Sequence, residues 1–295
     1  MATLKVIRKR IASIRNTQQI TKAMKMVSAA KLRRAQEALM QARPYAEKMA
    51  ALLENLSARV PPEAHPLLKA REEKRVDLLL VTADRGLCGG YNANLIRAAE
   101  GFFRNHRQNK QNRNDKQDRE VRLVVVGRKG VDYFRRRKVE IADRHINVWT
   151  RSPEEFAAEL GEKMIGRFLR EESAAIYILY SRFRSALSQV PTLEKLVPIS
   201  AEAEVTEEQL TEYLFEPGVD ALLASLLPKV VEVRIYHALM EAVASEHGAR
   251  MTAMDNATTN AGEMIGTLTL QMNRARQASI TKELMEIVST AEALK

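Results

Sequence analysis

Both ends of the chain carry apolar residues at helical spacing over more than 50 residues, and this feature constrains the fold most strongly. In residues 1–60 the apolar positions begin three and four residues apart, as in a heptad seam, at Leu4, Ile7, Ile11 and Ile14. In residues 210–295 small side chains recur every fourth residue between Ala249 and Ala261, and the same spacing continues to the end. Because a single helix cannot bury such a stripe, we expect these two segments to form a long antiparallel coiled coil.

Two irregularities interrupt the first stripe. The polar residues 16–19 break the seam, and apolar residues resume one position out of phase at Ile20, Met24 and Val27. Such phase breaks are expected where a supercoil locally unwinds. Further along, Pro44 lacks the backbone N–H that a helix interior needs, so we expect a kink or break near Arg43.

Charge is distributed unevenly along the chain. Residues 1–60 carry thirteen basic and three acidic side chains, whereas residues 201–295 carry seven basic and fifteen acidic ones. The two ends would attract each other if they lay side by side. A basic coiled coil that binds nucleic acid is the alternative, although no aromatic side chains are interleaved with the basic ones.

The sequence pattern of residues 75–200, in the middle of the chain, predicts an inserted, Rossmann-like α/β domain with a mostly parallel sheet. Nearly continuous apolar runs separated by helical stretches are typical of strands that are buried on both faces. The predicted strands are 76–82, 121–126, 174–180 and a weaker one at 189–198, and the clearest helix is 153–169.

A glycine-rich turn follows the first predicted strand. Its glycines, Gly86, Gly89 and Gly90, have the spacing G-x-x-G-G, which matches neither the dinucleotide fingerprint nor the P-loop. A tight structural turn is therefore favoured, and a nucleotide-binding α/β enzyme stays as the alternative. The single cysteine, Cys88, and the five histidines show no metal-ligand spacing. We expect no cofactor, no metal and no catalytic centre.

Other segments carry predictions of their own. Residues 105–120 contain no apolar side chain, which predicts a mobile loop. No apolar stretch reaches the roughly 20 residues that a transmembrane helix requires, and the amino terminus has no apolar signal core. We therefore expect neither a membrane span nor a secretory signal.

Three motifs resemble a known family. Residues 11–32, IASIRNTQQITKAMKMVSAAKL, resemble the amino-terminal signature of the gamma subunits of F-type ATP synthases. Residues 84–89, DRGLCG, are similar to the central turn of that family, and residues 254–261 and 273–288 are similar to its carboxyl-terminal signature. The motifs occur in the family's order, and the likeness extends over essentially the whole chain.

The resemblance implies a non-catalytic rotor shaft that couples proton-driven rotation of the c-ring to conformational cycling of the catalytic beta subunits. The implied partners are the hexamer of alpha and beta subunits, the epsilon subunit and the ring of c subunits. The chain lacks the paired cysteines of the light-regulated chloroplast form, and it starts within the first helix without a transit peptide. We therefore expect a peripheral protein on the cytoplasmic face of a bacterial plasma membrane.

The resemblance also implies roles for individual residues. Met24, Arg276 and Gln277 match the positions at which the family contacts and couples to beta subunits. Tyr213, Phe215 and Glu216 match the stretch that contacts the c-ring and the epsilon subunit. The apolar tip at 287–294 would lie in the upper collar of the hexamer.

Overall fold

The computed structural model describes residues 4–57, 61–108, 120–199 and 218–293. The chain divides into two compact units, which we call the terminal unit (Met1–Ser28 with Arg250–Lys295) and the sheet unit (Ala29–Ala249). The two longest helices, α1 (Leu4–Ser57) and α5 (Val219–Ala293), contribute residues to both units. No helix among the described residues has the length and apolarity to span a bilayer.

Among its described residues, the sheet unit contains a five-stranded sheet in the order β3-β2-β1-β4-β5. The first four strands in this order are parallel, and β5 is antiparallel to β4. The mostly parallel sheet predicted from the sequence is thus confirmed. The strands are β1 (Arg75–Val81), β2 (Glu120–Val126), β3 (Ile141–His145), β4 (Ala175–Phe183) and β5 (Gln189–Val197).

Helices cover both faces of this sheet. On one face α2 (Tyr91–Gln108) and α3 (Arg128–Arg136) enclose a core that includes Leu78, Leu80, Leu95, Leu123 and Phe134. On the other face α4 (Pro153–Leu169) packs together with parts of α1 and α5 around Leu79, Val81, Phe156, Leu160, Met49 and Leu227. Because alternate residues of β1 enter opposite cores, the strand has to be apolar almost throughout, as its sequence is.

The position of α4 follows from local sequence. Ser152 accepts a hydrogen bond on its Oγ from the backbone N–H of Glu155 at 3.4 Å, and Pro153 occupies the first helical position. Serine at the N-cap and proline at the first turn are both favoured there, because they satisfy or remove backbone donors that lack partners. The helix therefore begins and ends where the sequence predicts it.

The terminal unit is an antiparallel helix pair. Ile7 and Ile11 of α1 are buried against Leu268 of α5, and Ile14 and Ile265 pack at the edge of this cluster. Closer to the other end of the unit, Lys25 pairs with Asp255 at 2.6 Å. Residue numbers thus rise along α1 while they fall along α5, which confirms the antiparallel coiled coil.

The structure differs from local predictions at three places. It contains β3, an edge strand that the sequence analysis missed. Residues 105–108 belong to α2 instead of a loop, and Glu120 belongs to β2, whereas 109–119 lie outside the described residues. Finally, α1 continues as one helix through Pro44, so the break expected near Arg43 is absent.

Candidate partner-binding surfaces

The carboxyl edge of the sheet is the place where doubly wound folds bind ligands, at the point where the strand order reverses between β1 and β4. Here Asp84 follows β1 and caps the amino end of α3. Its Oδ1 accepts a hydrogen bond from the N–H of Arg128 at 3.0 Å, and its Oδ2 accepts one from the N–H of Asn147 at 3.1 Å. The N–H of Arg128 at the amino end of α3 is therefore already paired with a carboxylate of the chain.

The glycines at this edge are explained by packing of the chain on itself. Gly127 has φ +95°, and a Cβ there would lie 2.0 Å from the carbonyl oxygen of Thr82. A Cβ on Gly130 would lie 2.8 Å from the Thr82 Oγ1. In the turn itself, the Asn92 side chain accepts from the N–H of Ala83 at 3.0 Å. In the glycine-rich turn, Gly89 has φ +55°, a conformation that favours glycine, so this glycine has a structural reason of its own.

Helix α5 is bonded to the same edge within the sheet unit. The Ser245 hydroxyl donates to the carbonyl oxygen of Ser181 at 2.8 Å, and the N–H of Phe183 donates to Glu241 Oε2 at 2.6 Å. The hydroxyl of Tyr91 at the start of α2 donates to the carbonyl of Ala242 at 3.2 Å. The switch point between β1 and β4 is therefore bridged by α5.

A small cavity of about 380 Å³ lies elsewhere, beside α4 and β3, and is lined by three basic side chains. Each of these is already bonded to a carboxylate of the chain. Lys163 lies 3.5 Å from Asp143, and Arg170 lies 2.7 Å from Glu172. Arg167, the third, contacts Asp77. Because these charges are compensated, the cavity offers little attraction for an anionic ligand.

The burial of side chains along the seam of the terminal unit contradicts the predicted phase break. Ile20 and Val27 are 60% and 57% exposed, whereas Thr21 and Ser28 are only 8% and 2% exposed. The original heptad phase thus continues through this segment with polar residues in the seam. Met24 is half-buried between the two faces. Ile20, Met24 and Val27 form an apolar stripe on the outer side of α1, which we call the outer stripe.

A second exposed apolar surface lies near the end of α5. Its members include Ile280, Leu284, Ile287 and Val288, all of which are exposed. Arg276 and Gln277 stand just before this segment and are exposed as well. Large apolar side chains that recur on one helix in this way are typical of a surface that another chain covers.

The remaining predicted contact residues are those for the c-ring and the epsilon subunit. Tyr213, Phe215 and Glu216 lie outside the described residues, so their roles stay predictions. The apolar repeat at Ile20, Met24 and Val27 is visible in the sequence, where its spacing assigns it to the seam. Its exposure on the outer side, at Ile20 and Val27, could not be predicted from that spacing.

The chain is similar to known proteins along its full length. The sequence model of the family described as ATP synthase matches residues 3–294. Curated relatives include the ATP synthase gamma chain of Geobacter sp. (strain M21), 50% identical over 100% of both chains, and that of Moorella thermoacetica, 48% identical over 100% of both chains.

Solved structures share the fold. A chain of the Euglena gracilis mitochondrial ATP synthase, from its OSCP/F1/c-ring assembly, has a TM-score of 0.68 at 20% identity, with 99% of this chain and 94% of that chain covered. A chain of the central stalk and c-ring of the Tetrahymena thermophila mitochondrial ATP synthase has a TM-score of 0.58 at 24% identity, with 81% and 99% covered.

Proposed function

Because the chain belongs to the ATP synthase gamma chain family, we propose that it is the central rotor shaft of an F-type ATP synthase. In this role it couples proton-driven rotation of the c-ring to conformational cycling of the catalytic beta subunits. Its partners are the hexamer of alpha and beta subunits, the epsilon subunit and the c-ring.

The observation that carries this proposal is the antiparallel pairing of the chain's two ends. The helices pack through a buried seam at Ile7, Ile11 and Leu268, and they leave apolar side chains exposed on other faces. Two packed helices resist bending and twisting better than one, which a shaft requires. Apolar surface that the pair leaves exposed is then available to the surrounding hexamer.

The proposal assigns separate surfaces to separate partners. The outer stripe with Met24, together with Arg276 and Gln277, contacts beta subunits and couples shaft rotation to their conformations. The apolar end of α5 lies in the hexamer's collar. Tyr213, Phe215 and Glu216 contact the c-ring and the epsilon subunit. We retain 1–60, 75–200 and 210–295 as the functional division of the chain into two coiled-coil segments and one α/β domain.

We further propose that the chain bears no catalytic centre and needs no cofactor, so the chemistry belongs to the hexamer. The support is the carboxyl edge of the sheet, where Asp84 and Thr82 bond to the start of α3 and Ser245 of α5 bonds to the end of β4. A shaft acts mechanically. Because its surface differs around its circumference, each catalytic site meets a different side at any moment and the three sites change in sequence.

The same role places the chain at the cytoplasmic face of a bacterial plasma membrane, where it is peripheral and is held through the c-ring. The curated relatives described above are bacterial proteins, which supports this placement.

Co-purification tests the proposal most directly. When the tagged chain is expressed in the organism that encodes it and purified through the tag, alpha, beta and epsilon subunits should be recovered together with ATPase activity. A nucleic-acid-binding protein would instead recover nucleic acid, with an affinity that falls steeply as salt is raised. Saturable nucleotide binding by the purified full chain alone would support the enzyme alternative. Recovery of the chain without a hexameric ATPase would contradict the shaft.

A further inference from the structure

The hairpin formed by β4 and β5 extends beyond the end of the neighbouring strand β1. The pairing of β1 with β4 ends at Leu80 and Leu179, whereas the pairing of β4 with β5 continues to Phe183 and Gln189. In the part of the chain that the structure describes, residues 180–183 therefore have a paired strand on one side only. A two-stranded ribbon is marginally stable in water without further packing, so this extension needs support from another element.

Helix α5 supports the extension through two side chains. The N–H of Phe183 donates to Glu241 Oε2 at 2.6 Å, and the Ser245 hydroxyl donates to the carbonyl oxygen of Ser181 at 2.8 Å. Four residues of a helix rise about 6 Å and two residues of a strand about 6.8 Å, so the spacings of the two pairs agree. We call Glu241 and Ser245 the brace.

The turn at the end of the hairpin is held by its own hydrogen bonds. The N–H groups of Arg184 and Ser185 lie 3.2 and 3.1 Å from the carbonyl oxygen of Ser188. The side chain of Gln189 donates from Nε2 to the carbonyl oxygens of Ser185 and Ala186, at 3.1 and 2.8 Å. The backbone of the turn is therefore ordered before any partner binds.

Gly248 lets the turn approach α5 closely. A Cβ added at Gly248 would lie 2.9 Å from the ring of Phe183 and 3.5 Å from the Cα of Ala186. Glycine is unfavourable in a helix interior compared with alanine, and the close approach of the hairpin explains its position here. The turn is thus fixed to α5 as well as to itself.

This rigid turn presents an apolar side chain to the solvent. Leu187 is 83% exposed, which is the largest exposed fraction among the large apolar side chains that the structure describes. A single exposed leucine is common on protein surfaces, but here the backbone that carries it is already ordered. A partner that binds Leu187 therefore loses little entropy in ordering it. In the same turn Arg184 is exposed, and none of the described carboxylates forms an ion pair with it.

We propose that Leu187 and Arg184, which we call the hairpin tip, are a contact surface for the hexamer of alpha and beta subunits. This inference rests on the proposed function, which places the terminal unit inside the hexamer. Gly248 lies two residues before Arg250, at which α5 enters the terminal unit. The hairpin therefore stands at the end of the sheet unit that is next to the hexamer.

The chemistry of the hairpin tip defines the surface that it fits. An apolar side chain and a cation on one turn match an apolar site that has a carboxylate beside it. Because the brace joins the hairpin to α5, the hairpin tip turns with the shaft and meets successive subunits at the open end of the hexamer. The hairpin tip thus adds a contact from the sheet unit to those that the proposed function assigns to the terminal unit.

Photocrosslinking in the purified complex tests the proposal. A benzophenone amino acid is incorporated at position 187 of the tagged chain, the complex is recovered through the tag and illuminated, and the product is identified by mass spectrometry. We expect this chain joined to an alpha or a beta subunit. A product with the epsilon or c subunit alone, or no product in a recovered complex, would overturn the hairpin contact and leave the shaft intact. Failure to recover the hexamer with the native chain would instead overturn the proposed function, and this inference with it.

A control position lies at the other edge of the sheet. Leu169 is 47% exposed at the end of α4, and β4 begins six residues later at Ala175, so Leu169 lies near the amino ends of the strands. The same amino acid at position 169 should give no product with alpha or beta subunits. Equal yields of such products from positions 169 and 187 would overturn the proposal.

A second position in the turn covers the case in which the bulky side chain at 187 prevents assembly. Ser188 is exposed beside Leu187 and contributes only backbone groups to the bonds of the turn. The benzophenone amino acid at position 188 should therefore give the same product with an alpha or a beta subunit. Its absence from a recovered complex would overturn the proposal.

Discussion

Asp77 and Arg122 form a bidentate ion pair between β1 and β2, although the Asp77 side chain is completely buried. Arg122 Nε lies 2.8 Å from Asp77 Oδ1, and Arg122 Nη2 lies 3.2 Å from Oδ2. The two residues are direct partners in the register of the parallel strands. Hydrogen bonding to Asp77 raises the pKa of Arg122 further above its ordinary value. The pair therefore holds both charges inside the sheet unit.

Removing one partner of this pair should destabilise the sheet unit strongly. In Asp77→Ala the guanidinium of Arg122 loses its buried counter-charge, and such a change costs roughly 3 kcal/mol. The cost is measured as the loss of unfolding free energy in urea. Arg33→Ala is the control, because Arg33 pairs with Glu37 on an exposed helix surface and should cost less than about 0.5 kcal/mol. Equal losses in both variants would contradict the prediction.

Gly127→Ala should prevent the sheet unit from folding normally. The alanine would have φ +95°, a conformation that L side chains rarely adopt, and its Cβ would overlap the carbonyl oxygen of Thr82. Thermal melts and soluble yield measure the effect. Gly101→Ala is the matched control, since Gly101 lies in α2 and a Cβ added there would meet no atom within 4 Å, so alanine should be neutral or stabilising. A normal melt for Gly127→Ala would show that the backbone can relax.

His145 gives the sheet unit a pH dependence near neutrality. Burial lowers the pKa of His145 below its ordinary value of 6.5 and outweighs the opposing attraction of Asp143. As the pH falls, the unfolded chain therefore binds the proton at a higher pH than the folded chain does. The contribution of the neutral His145 ring to stability is fully present above pH 6.5 and is lost as the pH falls from 6.5 through the lower folded pKa. Lys163 and Glu159 also face this ring.

The measurement compares melting temperatures at pH 7.5 and 5.5. The native chain should lose more stability over this range than His145→Gln, whose side chain does not titrate. If His145→Gln showed the same decrease as the native chain, another group would be responsible.

The sequence predicted elements well where local chemistry and burial agreed. Helix α4 was predicted at 153–169, and in the structure Ser152 caps its start, Pro153 occupies its first position and its apolar residues face one core. Strand β3 was missed because an edge strand has a partner on one side only. Its sequence, IADRH, therefore contains little apolar surface, and only alternate residues are partly covered.

The seam shows why part of the site could not be predicted. Apolarity predicts burial, so the sequence pattern places Ile20, Met24 and Val27 between the helices. In the structure the heptad phase established at Ile7 and Ile11 continues, and geometry places Thr21 inside. Such inversions are expected where a surface serves a partner, because a single chain contains no signal that distinguishes burial by its own residues from burial by another chain.

The outer stripe provides a test of that interpretation. Ile20→Ser with Val27→Ser changes exposed side chains, so the unfolding free energy should change by less than about 0.5 kcal/mol per site. Association with the hexamer should weaken, measured as the fraction of alpha and beta subunits that co-purify with the tagged chain. Ile11→Ser is the control for the buried seam, and there about 3 kcal/mol of stability should be lost. Unchanged co-purification of the double variant would remove the stripe from the contact surface.

Arg276 and Gln277 should affect coupling more than folding. Both side chains are exposed on α5, so Arg276→Ala with Gln277→Ala should leave the far-ultraviolet circular dichroism spectrum unchanged. A hydrogen bond to a charged group contributes roughly 1.5–3 kcal/mol, which corresponds to about tenfold or more in a rate. We therefore expect a decrease of that order in ATP synthesis, and in rotation-linked hydrolysis, by the reconstituted complex.

A second double variant makes this coupling experiment specific. Gln271→Ala with Arg274→Ala changes one amide and one guanidinium on exposed positions of the same helix, six residues before Gln277 and two residues before Arg276. It removes the same charge but leaves the proposed contact intact, so its coupled activity should stay close to that of the native complex. Full coupled activity in the Arg276 and Gln277 variant would exclude those residues as coupling contacts. Equal loss in both variants would instead indicate a general effect of charge on α5.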